Sequence, residues 1–151
     1  MLDIENQNLD IYEIEALISK ICEDLKVGDL LFIKGELGAG KTTISRFIIN
    51  QLYLLNNLSK PISIKSPTYP ILLTYSLNGF EIFHYDLYRI KNFKELEELD
   101  FFENIKSSIT LVEWPELLIE LPFKKNHYLI NLDITSSSKR LISIEYFEQK
   151  A

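Results

Sequence analysis

One segment constrains what this chain can fold into more than any other, the run from Gly35 to Thr42 that reads Gly-Glu-Leu-Gly-Ala-Gly-Lys-Thr. It is a complete G-x-x-x-x-G-K-[ST] pattern, whose glycines let the backbone turn tightly and approach an anion closely. Backbone N–H groups in such a loop cradle phosphates, Lys41 reaches the β- and γ-phosphates, and the Thr42 hydroxyl can bind Mg²⁺. The pattern predicts a nucleotide-phosphate site formed by Gly35, Glu36, Leu37, Gly38, Ala39, Gly40, Lys41, Thr42 and Thr43.

The residues on either side of this loop fit the same interpretation. Residues 29–34 form a short apolar run that predicts a buried strand, and residues 42–52 have the apolar spacing of a helix. A helix that begins directly after the loop points its free N–H groups and the positive end of its dipole at a bound phosphate. Strand, loop and helix occur in the order that the motif requires, which disfavours a chance match.

Length, charge and cysteine content limit the kinds of protein that this chain can be. A chain of 151 residues predicts one compact domain spanning residues 1–151. Its net charge of −6 gives no electrostatic basis for capturing nucleic acid alone, so such a role would need a partner. The single cysteine excludes an internal disulfide and a cysteine-rich zinc site. With no membrane-length apolar run and no signal-peptide pattern at the start, we expect a cytoplasmic protein without a membrane role.

The rest of the chain alternates helical and strand patterns. Asp10 and Glu13 have the spacing of a capping box, which predicts a helix beginning near Ile11. Two pairs of β-rich runs predict hairpins, with one helical and one buried-strand pattern between them. These segments are the hairpin 71–77 and 80–87, the helix 93–105, the strand 108–113, and the hairpin 127–135 and 140–147. Their order predicts a three-layer α/β fold with a mixed, partly antiparallel central sheet.

A phosphate loop needs a carboxylate for its Mg²⁺, and two acids end apolar strands where such a ligand is expected. Asp86 ends the run 80–86, and Glu113 ends the run 109–113. Ligands of open α/β sheets bind beyond the carboxyl ends of the strands, so both acids could reach the nucleotide. Taken alone, each could equally be a solvated acid at a strand end. The metal requirement of the phosphate loop favours a functional role.

Three other side chains are less decisive. His84 lies between apolar neighbours, which favours a buried strand histidine over a catalytic one. Trp114 follows the second acid directly, and it either packs structurally or lines the site or a partner surface. Cys22 falls on the apolar face of the first predicted helix, which indicates a buried, inert thiol.

Five sequence elements occur in a fixed order along the chain. They are Gly35–Thr43, Ser66–Tyr69, His84–Arg89, Glu95–Leu99 and Val112–Glu116. Together they resemble the bacterial TsaE family, known earlier as YjeE, and the resemblance covers nearly the whole chain. The His-Tyr-Asp-Leu-Tyr-Arg and Glu-Trp-Pro runs are far more specific to this family than the phosphate loop.

This resemblance implies a P-loop NTPase-like fold with a mixed sheet, and it implies ATP and Mg²⁺ as cofactors of a slow ATPase. By resemblance, Lys41 and the loop amides bind phosphates, while Thr42 and Glu113 hold Mg²⁺. Asp86 would position water or metal near the γ-phosphate. The implied catalytic residues are therefore Asp86, Lys41 and Glu113, and which of the two acids acts on water stays open.

The family also implies a nucleotide sensor and partners. Thr68, in a switch-like segment, would report on the nucleotide, and Glu116 and Arg140 would lie near it. The family acts with the TsaD and TsaB proteins in the synthesis of tRNA N6-threonylcarbamoyladenosine (t6A). An acidic chain is then expected to meet tRNA only indirectly, through those subunits.

Two other functions are compatible with a phosphate loop. The first is a non-catalytic, nucleotide-dependent binding module, in which hydrolysis is incidental. The second is a small kinase, which is disfavoured because the sequence has no arginine-rich lid to clamp a transferring phosphoryl group. A GTPase is also disfavoured, since no Asn-Lys-x-Asp element is present to read guanine.

Overall fold

The computed structural model describes residues 3–120 and 125–148. Its strands are β1 (Ile4–Asp10), β2 (Leu30–Gly35), β3 (Leu72–Ser76), β4 (Glu81–Asp86), β5 (Ser108–Glu113), β6 (His127–Ile134) and β7 (Lys139–Phe147). Its helices are α1 (Ile11–Cys22), α2 (Lys41–Leu55), α3 (Phe93–Glu98), α4 (Phe101–Asn104) and α5 (Glu116–Glu120). Within the described ranges, no helix is both long enough and apolar enough to cross a membrane.

The seven strands form one sheet in the order β1-β7-β6-β2-β5-β4-β3. Its centre is parallel, because β2 pairs in parallel with both β5 and β6, and β4 pairs in parallel with β5. Its two edges are antiparallel hairpins, β3 with β4 on one side and β6 with β7 and β1 on the other. The predicted mixed, partly antiparallel sheet is confirmed.

Helices cover both faces of this sheet, which confirms the three predicted layers. Successive strand residues point to opposite faces, and the core divides accordingly. From β2, Leu31 and Ile33 join a cluster with the apolar residues of α1 and α2. Leu30 and Phe32 join a second cluster on the other face, with residues of α3, α4 and α5.

The parallel centre brings the ends of three strands to one edge. Strand β2 ends at Gly35, the first residue of the phosphate loop, and β5 and β4 end at Glu113 and Asp86. Asp86 lies directly opposite Glu113 in the register of the β4–β5 pair. The two acids that the sequence singles out are therefore neighbours, at the edge from which the phosphate loop leaves the sheet.

The first strand was not predicted. Helix α1 has the predicted cap, since the Asp10 side chain accepts a hydrogen bond from the Glu13 amide and the Glu13 side chain accepts one from the Asp10 amide. Before it, however, residues 4–10 form an edge strand against β7. This segment is rich in polar residues, mostly exposed, and its register shifts between Ile4 and Gln7, so no clean alternation marks it in the sequence.

The prediction of one helix over residues 93–105 was wrong. Two short helices, α3 and α4, occupy this segment, and Asp100 between them has a φ of 55°, in the left-handed region. A helix cannot continue through that conformation, and aspartate is among the residues that adopt it most readily. The break turns Phe101 into the core, where it is fully buried.

Candidate functional site

The phosphate loop is compact enough to require its glycines. A Cβ on Gly35 would lie 2.9 Å from the Ala39 Cβ and 3.0 Å from the Leu132 carbonyl oxygen, so only glycine fits there without a backbone shift. Gly40, with a φ of 108°, is in a conformation that other residues rarely adopt. This chain conformation lets the loop return tightly to the start of α2.

Helix α2 begins without a side-chain cap. Its N-cap residue is Gly40, which has no side chain to accept a hydrogen bond from the first turn. The N–H groups at the start of a 15-residue helix, together with the positive end of its dipole, favour an anion at this position. The loop and the helix thus provide the backbone half of a phosphate site.

Lys41, the first residue of α2, folds back over the loop. Its Nζ donates hydrogen bonds to the carbonyl oxygens of Gly35 (2.7 Å) and Glu36 (2.8 Å). The same ammonium lies 4.0 Å from the centroid of the Trp114 ring, a cation–π distance. Burial lowers the pKa of Lys41, an effect opposed by the negative charges of Glu113, Asp86 and Glu116. The ammonium is therefore held beside the loop by carbonyl oxygens and one aromatic face.

The Glu113 carboxylate is buried and carries three side-chain hydrogen bonds. Oε1 accepts one from the Thr42 hydroxyl (2.8 Å), and Oε2 accepts one from the Ser45 hydroxyl (3.0 Å) and one from His84 Nε2. Burial acts to raise the pKa of Glu113, but the His84 ring and the two hydroxyls outweigh it and lower the pKa. The group is thus a carboxylate anion in contact with the hydroxyl that follows the loop lysine.

Asp86 lies beside Glu113 but has different partners. Its Oδ2 accepts a hydrogen bond from the Thr68 hydroxyl (3.0 Å), and its Oδ1 accepts one from the Tyr88 amide (2.9 Å). The hydroxyls of Thr68 and Ser66 are 2.7 Å apart. The switch-like segment before β3 is therefore joined to the end of β4 through one carboxylate.

Trp114 adopts a left-handed backbone conformation, with a φ of 55°. A bulky residue seldom has this conformation, which carries strain of order 1–3 kcal/mol. The conformation places its ring over Lys41 on one side and in contact with Tyr88, whose ring centroid is 4.8 Å away. Of the two alternatives for Trp114, the structure supports the one in which it lines the site.

Arg140, from the start of β7, reaches back to the phosphate loop. Its Nε donates to the Ala39 carbonyl oxygen (2.8 Å) and its Nη2 to that of Gly38 (3.4 Å). Its Nη1 donates to the carbonyl oxygens of Ser136 and Lys139, both at 2.9 Å. The guanidinium therefore ties the loop to the β6–β7 turn through backbone oxygens.

A cavity of about 270 Å³ adjoins the loop on the side away from Glu113. Its lining comes from both ends of the chain and includes Leu9 and Ile11 as well as Ser137 and Ser138 from the β6–β7 turn. Gly40, Thr43 and Phe47 complete the side nearest α2. An apolar cavity that opens beside a helix N-terminus has room for a flat, uncharged ring attached to a phosphate group.

The structure brings most of the predicted site residues together. Leu37 is at the exposed tip of the loop, and Glu116, in the first turn of α5, contributes negative charge near Lys41. Two contributors were missed, His84 and Ser45, both of which contact Glu113. For His84 the available signal was its position two residues before Asp86 on the same strand, which puts both side chains on one face.

A buried parallel strand, a glycine loop, a helix that starts without a side-chain cap, and a carboxylate at the end of the neighbouring strand define a P-loop NTPase-like fold. A model of the family described as "Threonylcarbamoyl adenosine biosynthesis protein TsaE" matches residues 9–142. The chain belongs to the TsaE family.

Individual relatives agree with this family assignment. The chain is 36% identical to a TsaE protein of Rickettsia felis over 144 residues, covering 95% of this chain and 78% of the relative. It is 30% identical to the TsaE protein of Aquifex aeolicus over 128 residues, or 85% of each chain. Both relatives are named tRNA threonylcarbamoyladenosine biosynthesis proteins. Among solved structures, YdiB of Bacillus subtilis has a similar fold, with a TM-score of 0.63 over 95% of this chain and 87% of YdiB at 22% identity.

Proposed function

We propose that this protein binds ATP with Mg²⁺ and hydrolyses it slowly, as one component of the machinery that forms tRNA N6-threonylcarbamoyladenosine. In this proposal the whole chain, residues 1–151, acts as one P-loop ATPase domain together with TsaD and TsaB subunits. Membership of the TsaE family supports the pathway. The site geometry supports the chemistry.

One observation carries the proposal, the 2.8 Å contact between the Thr42 hydroxyl and the Glu113 carboxylate at the start of α2. A hydroxyl and an anionic carboxylate are oxygen ligands of the kind that Mg²⁺ prefers, and they lie beside the loop amides that would hold the phosphates. Mg²⁺ held there would neutralise charge on the β- and γ-phosphates. In this proposal Lys41 leaves the carbonyl oxygens of Gly35 and Glu36 to contact the same phosphates.

Asp86 is proposed to serve hydrolysis. Its carboxylate lies next to Glu113 but is held by Thr68 and by the Tyr88 amide, so it is oriented independently of the proposed metal ligands. A carboxylate in that place can orient water near a γ-phosphate or contact the metal ion. The Thr68 hydroxyl, bound to Asp86, would then respond to the presence of that phosphate.

The cavity beside the loop is the proposed seat of the adenine base. Its volume of about 270 Å³ and its apolar walls suit a flat ring, and its lining residues within 3–120 and 125–148 include no carboxylate. Guanine presents an N–H and an amino group on one edge, which need acceptors such as the carboxylate of Asp or Glu. The lining therefore favours adenine over guanine.

The same contacts count against a kinase. The chain has three arginines, Arg46, Arg89 and Arg140, and each donates to a backbone carbonyl oxygen. A kinase that passes the phosphoryl group to a second substrate needs, in addition to the loop lysine, cations that hold this group during the transfer. Arginines already paired with the backbone are poorly suited to that role.

Reconstitution tests the proposal. ATP binding, phosphate release and threonylcarbamoyladenosine formation should be measured with TsaB, TsaD and the substrate-activating enzyme, with and without this chain. We expect little hydrolysis by the chain alone, stimulation by the partners, and loss of repeated product formation when the chain is omitted. An unchanged yield over many turnovers without the chain would refute the role. ATP binding without partner-stimulated phosphate release would favour the non-catalytic binding module.

A second measurement tests the partner argument. A chain with a net charge of −6 should not hold tRNA by itself, because affinity for nucleic acid depends chiefly on cationic contacts with phosphates. Tight tRNA binding by the isolated chain at physiological salt would refute indirect contact through the partner subunits.

A further inference from the structure

We propose that His84 is a positioning residue for the magnesium-binding carboxylate, aiming Glu113 at the metal by holding one of its two oxygens. This inference rests on the proposed function, since it concerns the same metal site. His84 itself would touch neither nucleotide nor metal.

The strand geometry places His84 where it can act only through Glu113. In the parallel β4–β5 pair His84 lies opposite Leu111 and Asp86 lies opposite Glu113, so His84 reaches diagonally to a residue two positions further along β5. Its side chain is fully buried, and Glu113 is only 2% exposed. Tyr85, the residue between His84 and Asp86, points to the opposite face and packs in the other core cluster.

The hydrogen bonds divide the two oxygens of Glu113 into different roles. Oε2 is held by His84 Nε2 and by the Ser45 hydroxyl, both from inside the protein. Oε1 has the Thr42 hydroxyl, the other proposed metal ligand. An ionised carboxylate can only accept hydrogen bonds, so the proton of the imidazole must be on Nε2. The geometry therefore assigns Oε2 as the anchored oxygen and Oε1 as the one that faces the metal.

The surroundings of His84 Nδ1 disfavour a purely structural role for this residue. Its Nδ1 is buried with no hydrogen-bond partner among the described residues. A buried polar atom without a partner is unfavourable, so an apolar side chain would serve better if the position only filled the core. The contact with Glu113 is the feature that accounts for a histidine here. Partners that orient metal ligands in this way typically change metal affinity or activity by about 10- to 100-fold when removed.

Two substitutions of similar polarity separate positioning from packing. In His84→Gln the side-chain amide nitrogen can reach the place of Nε2, whereas in His84→Asn it reaches only the place of Nδ1. Tyr85→Phe is the matched control, because Tyr85 is the next residue of the same strand and points to the opposite face. The change removes a part-buried hydrogen bond that the Asn104 side chain donates to the Tyr85 hydroxyl. The probe is Mn²⁺, whose binding in the presence of ADP is measured by electron paramagnetic resonance, with metal-free ADP affinity as a check on the fold.

We expect His84→Asn to weaken Mn²⁺ binding about 10- to 100-fold, and His84→Gln and Tyr85→Phe to stay within about threefold of the unchanged chain. Metal-free ADP affinity should be the same in all four proteins. Equal Mn²⁺ affinities for the Asn and Gln variants would overturn the inference. If His84→Asn does not fold, His84→Gln alone decides the test. A tenfold loss of Mn²⁺ affinity in folded His84→Gln would overturn the inference, and an Mn²⁺ affinity within threefold of the unchanged chain would support it. Absence of nucleotide-dependent Mn²⁺ binding in the unchanged chain would overturn the proposed metal site itself.

Discussion

The phosphate loop and the pair of acids, Asp86 and Glu113, face the same space but are assembled in different ways. The loop is one continuous stretch whose shape comes from its own backbone, with Gly35 and Gly40 in places where a side chain would clash or strain. The acids come from two strands, and their contacts reach back 18 residues to Thr68 and 71 residues to Thr42. The loop can therefore bind an anion by local geometry, whereas the metal half depends on correct pairing of the whole sheet.

The largest effect should come from removing Lys41, the single cationic side chain of the phosphate loop. In Lys41→Ala the charge that faces the phosphates is lost, and a charge-assisted hydrogen bond contributes roughly 1.5–3 kcal/mol. We expect ATP affinity to fall roughly 10- to 100-fold by calorimetry. Lys34→Ala is the control, because this exposed lysine directly precedes the loop and should leave affinity unchanged. If Lys41→Ala binds ATP as tightly as the unchanged chain does, the assignment of the loop as the ATP site is refuted.

The next effect separates the two acids. Glu113→Gln removes the anion bound to Thr42, so the Mg²⁺ concentration needed for half-maximal activity should rise about 10-fold or more. Asp86→Asn should lower turnover about 100-fold while nucleotide affinity is largely kept, as expected for a group that acts on water. Steady-state kinetics over a range of Mg²⁺ concentrations gives both values. The reverse pattern would exchange the roles of the two residues.

The same contrast explains what the sequence could predict. The loop, its flanking strand and helix, and both acids were identified, because a linear pattern or a strand end marks each of them. His84 and Ser45 were missed as partners of Glu113, since their contacts span 29 and 68 residues and depend on strand register and helix position. Alternation along one strand shows which side chains share a face, but it does not show which residue of a distant strand or helix lies next to them.

Two parts of the fold escaped prediction for a related reason. Strand β1 is a polar edge strand, so its pairing with β7 at the far end of the chain decides its conformation. The break at Asp100 is set by the burial of Phe101, which overrides the helical spacing of the surrounding residues. In both places tertiary contacts outweigh local preference.

A smaller effect tests whether Trp114 links the phosphate loop to the pair of acids. Its ring contacts Lys41 in the loop half and Tyr88 beside Asp86, so it is in a position to pass the nucleotide state to a partner. A cation–π contact contributes about 0.5–2 kcal/mol. In Trp114→Ala we expect partner-stimulated ATPase activity and threonylcarbamoyladenosine formation to fall several-fold, with ATP affinity within about threefold. Trp114→Phe, which keeps an aromatic face, should be intermediate. If ATP affinity falls as much as the partner-stimulated activity does, Trp114 contributes to ATP binding only and does not pass the nucleotide state to a partner.

The smallest effect tests whether the backbone of the phosphate loop alone sets its conformation, or whether Arg140 also stabilises it. Arg140 lies about a hundred residues from the loop and donates to the Gly38 and Ala39 carbonyl oxygens, so the loop has one long-range support. Lysine keeps the charge, but all its donors are on one nitrogen, so it cannot reach the separate oxygens that Nε, Nη1 and Nη2 of the planar guanidinium contact. A typical hydrogen bond contributes about 0.5–1.5 kcal/mol. Arg140→Lys should therefore weaken ATP binding about two- to tenfold by calorimetry. Arg46→Lys is the control, because Arg46 donates to the Ile64 carbonyl oxygen, away from the loop. Equal affinities in the two variants would mean that the glycine backbone alone holds the loop, whereas a loss as large as that of Lys41→Ala would mean that Arg140 contacts the phosphates directly.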